Sequence, residues 1–180
     1  MWSLAISWTA FLALMLLAVQ VGLAQSSDDA YQTERFNVSG SVSLEVQTSG
    51  GSIQVEGSNG NEVLVEMYVR RRGRYIEAGE ADLDDYEISI TQDGNTISAI
   101  ADRKSNRGWN WNDGYSISFV VYTPQQTRTR LKTSGGSLTA KNLTGSQELR
   151  TSGGSITTES IKGRMILKTS GGSITMTDVE

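Results

Sequence analysis

Two short segments hold the side chains with the clearest chemistry. Arg70-Arg71-Arg72-Gly73-Arg74 puts four guanidinium groups within five residues, and planar guanidinium forks suit acidic polysaccharide, lipid headgroups or phosphate. An acidic stretch follows: Glu77, Glu80, Asp82, Asp84, Asp85 and Glu87. The arginines therefore read in two ways, as an anion-binding patch or as half of a charged loop that neutralises itself. The second segment runs from Arg103 to Gly114 and contains Trp109 and Trp111 among Asn, Asp and Gly. Two indoles in that setting read as a loop tip, where they can stack on sugar rings or sit at a membrane interface. The competing reading folds them back over an open end of the core.

Other chemistry is excluded by composition. The 180 residues include no His and no Cys. A Ser-His-Asp triad, an imidazole base, a thiol nucleophile, a disulfide and a His- or Cys-ligated metal are all impossible. The repeated glycines are not followed by the Asp that a calcium-binding nonapeptide needs, so no metal and no cofactor are expected. No paired carboxylates stand in a recognisable catalytic context, and the chain is read as a non-enzyme. With 16 Lys+Arg against 20 Asp+Glu the formal net charge is -4, which argues against a nucleic-acid partner.

The elements that must position these side chains follow from the rest of the sequence. Residues 1–24 carry no charge, contain the apolar run Phe11–Val19 and end at Gly22-Leu23-Ala24 before an abruptly polar stretch. This reads as a secretory signal cleaved after Ala24, although no Lys or Arg precedes the apolar run. The alternative is an uncleaved anchor, the one expected membrane contact. Either way the remainder is exported, to the periplasm, cell surface or medium. Residues 25–34 read as a flexible mature N-terminus and 35–180 as one domain.

That domain is dominated by repetition. Thr133-Ser134-Gly135-Gly136-Ser137-Leu138 recurs 18 residues later from Thr151 and again from Thr169, and a fourth copy starts at Thr48. Leu131, Leu149 and Leu167 share a column, with Val46 and Leu64 assigned to it upstream. Leu138, Ile156 and Ile174 share another; Leu143, Ile161 and Val179 a third. Units this short bury a core only by stacking, each column becoming an inward ladder. The expected fold is all-β: a β-solenoid, or right-handed β-helix-like stack, with an 18-residue repeat. The pairs Gly50-Gly51, Gly135-Gly136, Gly153-Gly154 and Gly171-Gly172 are expected to make its turns through positive φ, with Gly145 and Gly163 at a second corner. Thr139, Thr157 and Thr175 beside Ser137, Ser155 and Ser173 give hydroxyl columns, as any solvent-facing strand of such a stack would. Alternation also predicts strands over Val63–Arg70, Tyr86–Thr91, Thr96–Ala101 and Tyr115–Tyr122, looping out between the fourth copy and the others. The last copy stops before its lone glycine, leaving an unpaired apolar edge, so a longer reading frame is expected.

Ile117–Pro124, followed by Leu131-Lys132-Thr133-Ser134-Gly135-Gly136-Ser137 and Leu143-Thr144-Gly145, resembles the bacterial exported "putative adhesin" β-repeat family, a domain of unknown function. In that family a strand ending in proline leads into repeated Thr-Ser-Gly-Gly coils. The resemblance spans roughly residues 36–180. It implies export, a toast-rack or β-helix-like fold, and a role in adhesion or envelope contact; it supplies no catalytic residues. The resulting reading is a binding module for polysaccharide or another envelope component. Two alternatives stand beside it: a structural or sensory envelope protein acting through protein contacts, and a carbohydrate-active β-helix enzyme.

Overall fold

The computed structural model describes residues 30–104 and 114–180. Among them the chain is all-β, with no helix. The strands are β1 Gln32–Asn37, β2 Val42–Thr48, β3 Ile53–Ser58, β4 Glu62–Arg71, β5 Arg74–Tyr75, β6 Tyr86–Asp93, β7 Thr96–Arg103, β8 Ser116–Pro124, β9 Thr127–Thr133, β10 Leu138–Thr144, β11 Gln147–Thr151, β12 Ile156–Lys162, β13 Met165–Lys168 and β14 Ile174–Val179. The proposed leader and residues 105–113, with Trp109 and Trp111, lie outside the described residues. β1 begins at Gln32, inside the stretch read as flexible, and pairs antiparallel with β4.

The strands form two sheets. One is ordered β1-β4-β8-β3-β10-β12-β14 with β5 attached to β4; the other is ordered β13-β11-β9-β2-β7-β6. Successive strand pairs make layers that stack in parallel register, 18 residues apart along the C-terminal half. Leu131 pairs with Leu149 and Leu149 with Leu167 in one sheet. Leu138 pairs with Ile156 and Ile156 with Ile174 in the other. The upstream copy sits directly on this series, Thr48 beside Thr133 and Ile53 beside Leu138, although much of the chain separates them. Inward side chains from both sheets join one core that includes Val46, Ile53, Phe119, Leu131, Leu138 and Leu149.

The intervening strands do not loop outward as the alternation pattern suggested. β7 and β8 form a further layer stacked in parallel on β2 and β3. β6 then pairs antiparallel with β7, and β4 antiparallel with β8, closing that end. Leu64 is accordingly not part of the leucine column. It belongs to β4, paired with Tyr122 on the outward side, while Val63, Val65, Met67 and Val69 face the core. The opposite end is open: Ile174, Met176 and Val179 are 42 %, 54 % and 41 % exposed.

The glycine pairs work differently from the expectation. None of Gly50, Gly51, Gly135, Gly136, Gly153, Gly154, Gly171 and Gly172 has a positive φ. The second glycine is required by contact: a Cβ on Gly136 would lie 1.9 Å from the Gly51 carbonyl oxygen, and one on Gly154 would lie 2.0 Å from that of Gly136. Gly51 and Gly172 face the same obstruction, from Ile117 and Gly154. The first glycine of each pair meets nothing closer than ordinary van der Waals contact. Positive φ occurs instead at the second corner, at Gly145 (131°) and Gly163 (121°) as expected, and in an unforeseen column at Asn142, Ser160 and Asp178, between 51° and 55°. Short polar side chains tolerate that left-handed conformation best.

The motif threonine completes the turn. Thr133 Oγ1 donates to the Gly51 carbonyl at 2.8 Å and accepts from its own Gly136 N–H at 3.3 Å. Thr151 bridges the Gly136 carbonyl and the Gly154 N–H in the same way, and Thr169 the Gly154 carbonyl and the Gly172 N–H. Thr48 donates to the Ile117 carbonyl at 2.7 Å. The Thr133, Thr151 and Thr169 hydroxyls thus each satisfy one turn and tie it to its neighbour.

Four substitutions test this packing by denaturant unfolding. Gly136→Ala should cost about 3 kcal/mol, whereas Gly135→Ala should stay within about 0.5 kcal/mol. Thr133→Val, which strands two turn groups, should cost about 2 kcal/mol. Thr158 is buried with an unpartnered hydroxyl between Ala140 and Met176. Thr158→Val should therefore stabilise by about 1 kcal/mol, and any substantial loss would contradict the assignment.

Candidate functional site

The arginine run is split by strand geometry. β4 and β5 are joined by Arg72-Gly73, with Arg71 opposite Arg74 and Arg70 opposite Tyr75. Both linking residues have positive φ, 52° and 81°, the signature of a two-residue type I′ turn. Alternation along β4 sends Arg70 and Arg71 to opposite faces, so the four guanidinium groups do not make one patch.

On the outward side Arg70 lies over the Tyr75 ring, 4.1 Å from its centre, and Tyr75 packs edge-on against Tyr68 at 5.9 Å. Tyr68 donates its hydroxyl to Glu66, a carboxylate only 3 % exposed. Burial, then the charges of Glu66 and Glu56, raises the Tyr122 phenol above its ordinary value. On the core side Arg71 sits 5.4 Å from the centre of the Tyr115 ring. Tyr115 in turn packs edge-on against Tyr86, whose hydroxyl donates to the Tyr115 carbonyl at 2.8 Å.

The acidic stretch folds over the same end. Ile76, Ala81 and Leu83 pack against the core between the exposed acids. The Asp82 N–H reaches the Tyr115 hydroxyl at 3.3 Å, and Lys104 donates its N–H to the Asp85 carbonyl and its ammonium to that of Asp84. The register places Ser116 opposite Arg70 and Arg103 opposite Tyr86. One described flank of residues 105–113 therefore ends beside the arginine hairpin, and the other beside Tyr86, which Tyr115 links to Arg71. Both regions singled out in the sequence, Arg70–Arg74 and the flanks of the Trp109/Trp111 segment, converge on the closed end of the stack. The three tyrosines that organise the arginines, Tyr68, Tyr75 and Tyr115, were not anticipated. Tyr68 shares β4's outward face with Arg70, and that spacing of two was the available signal.

The arrangement suits binding through planar cations and aromatic faces. Among the described residues no three acidic side chains converge on a metal-sized site. A shallow cleft of about 220 Å³ lies elsewhere, on the second sheet, lined by Ser43, Glu45, Arg128, Arg130 and Glu148 among others.

Burial, partly offset by the nearby Arg103 charge, raises the Tyr86 phenol above its ordinary value. The unfolded phenol ionises near 10 and the folded one only higher, so stability present below pH 10 is lost as the pH rises through that region. Thermal melts from pH 8 to 11 should show Tyr86→Phe less stable at pH 8 by about 1 kcal/mol, yet declining less steeply in alkali.

No family model matches the chain, and no curated protein matches it. Among solved structures it is similar to one from Clostridium sporogenes described as a putative cell adhesion protein. The match has 10 % identity and a TM-score of 0.41, and covers 83 % of this chain and 99 % of that one. It is also similar to a structure from Parabacteroides distasonis described as a putative lipid binding protein, with 15 % identity and a TM-score of 0.42. There the match covers 83 % of this chain and 58 % of the other, so it spans little more than half of that protein.

Proposed function

We propose that this chain is an exported, non-enzymatic binding module that holds a cell-envelope component, such as a polysaccharide, against the closed end of a short β-solenoid. The carrying observation is the convergence of the arginine hairpin, Tyr68, Tyr75 and Tyr115 with both flanks of the segment bearing Trp109 and Trp111. The solenoid reading rests on the 18-residue parallel register and the threonine bridges. Export rests on the apolar leader. A rigid stack presenting aromatic and guanidinium groups at one end can retain a glycan without altering it.

A structural or sensory role through protein contacts is the second reading. It is favoured by the exposed Ile174, Met176 and Val179 on edge strand β14, which among the described strands pairs with β12 alone and suits pairing with another chain.

Co-sedimentation of the purified protein with insoluble polysaccharides, peptidoglycan and whole cells distinguishes the readings. Retention should fall about tenfold in Trp109→Ala/Trp111→Ala and in Arg70→Ala/Arg74→Ala, with β-rich circular dichroism unchanged. No retention of the parent protein, or equal retention of all forms, would sink the binding-end proposal. Release of soluble sugar from the pellet would instead point to an enzyme.

A further inference from the structure

The outward face of the second sheet carries a row of cations that the overall charge of -4 conceals. Parallel register aligns Lys132, Arg150 and Lys168 on β9, β11 and β13, one cation per layer. Adjacent strands lie about 4.8 Å apart, so the row is a line of positive charge along the stack axis. All three side chains are exposed. Like charges directly across a sheet repel, and among the described residues neither Lys132 nor Lys168 forms an ion pair.

The strip is narrow. On one side Glu45 and Glu148 are engaged by Arg130, at 3.9 and 3.7 Å, and Glu148 also by Arg150 at 2.6 Å. On the other stand the exposed turn serines Ser134, Ser152 and Ser170, again one per layer. Cations and hydroxyls thus run as parallel tracks, beside a mixed row of Glu45, Arg130, Glu148 and Ile166. The outward face of the other sheet differs: its corresponding row is Glu56, Lys141 and Glu159, with Lys141 and Glu159 paired at 2.8 Å.

We propose that the cation row binds a linear acidic polysaccharide, a polyuronate lying along the stack axis, with carboxylates on Lys132, Arg150 and Lys168 and ring hydroxyls toward the serines. Charge complementarity carries the choice of occupant. The ligand supplies the anions that Lys132 and Lys168 lack, and a repeating polymer meets a repeating surface. Glu45 and Glu148 beside the strip disfavour a broad anionic membrane. The row offers no aromatic ring on which nucleic-acid bases would stack. This surface is separate from the Arg70–Arg74 end and does not depend on the role given to it.

The probe is polygalacturonate, with dextran as the neutral control and phosphatidylglycerol vesicles and duplex DNA as competing anions. The protein should bind polygalacturonate but not dextran, more weakly as salt rises. Lys132→Thr/Arg150→Thr/Lys168→Thr, whose threonines retain strand propensity, should lose about tenfold in affinity with an unchanged melting temperature. Lys132→Thr/Lys168→Thr, which leaves the Arg150–Glu148 pair intact, should lose about threefold. Arg70→Ala/Arg74→Ala should bind polygalacturonate like the parent, which separates this proposal from the binding-end reading. No binding of polygalacturonate, equal binding by the triple variant, or tighter binding to vesicles or DNA would overturn it.

Discussion

The fold depends on the contact between successive turns at the second glycine of each pair. There one layer's backbone passes so close to the carbonyl of the next that no Cβ fits between them, with 1.8 to 2.2 Å left at Gly51, Gly136, Gly154 and Gly172. Such proximity buries the turn's polar groups, and buried amides and carbonyls without partners are expensive. The preceding threonine removes that cost at both points, accepting from its own turn and donating to its neighbour. Two glycines and one hydroxyl thereby set the close approach of the layers at this corner. The aliphatic columns can then align as inward ladders in both sheets.

The same constraint makes the stack directional. On the β13 and β14 side the ladders continue in parallel register to the exposed Ile174, Met176 and Val179. At the other end β4 and β6 run antiparallel to the layer beneath them and replace the repeat with a different edge. The closed end is also where charge and aromatic side chains gather, because the long connections between β4 and β8 are freed from repeat geometry there. Side chains placed at that end leave the packed ladders undisturbed. The cation row uses the opposite strategy, drawing its spacing directly from the repeat.

Several parts were readable from residue order alone. Columns at a period of 18 identified which leucines and isoleucines share a ladder, and alternation located β4, β6, β7 and β8 within a few residues. The cation column Lys132, Arg150 and Lys168 and the left-handed column Asn142, Ser160 and Asp178 were present in the same periodicity. They were missed because polar repeats on a solvent-facing strand look unremarkable until their register is known. The glycine pairs were misread for another reason: a glycine needed for close approach cannot be told by sequence from one needed for positive φ. Leu64 was misassigned because hydrophobicity does not distinguish an inward column from the crowded outward side of β4.

The sequence by itself determined the all-β class, the repeat unit and the absence of His and Cys chemistry, since these follow from local periodicity and composition. Tertiary structure decided what sits beside what. It stacked Thr48 on Thr133 and inserted β7 and β8 on the far side of β2 and β3. It also divided Arg70 from Arg71 and brought the arginine hairpin to the flanks of residues 105–113. The physical reason is that strand pairing is a non-local choice. Many partners satisfy one strand's hydrogen bonds and alternation, and the winner is fixed only when all layers share one core.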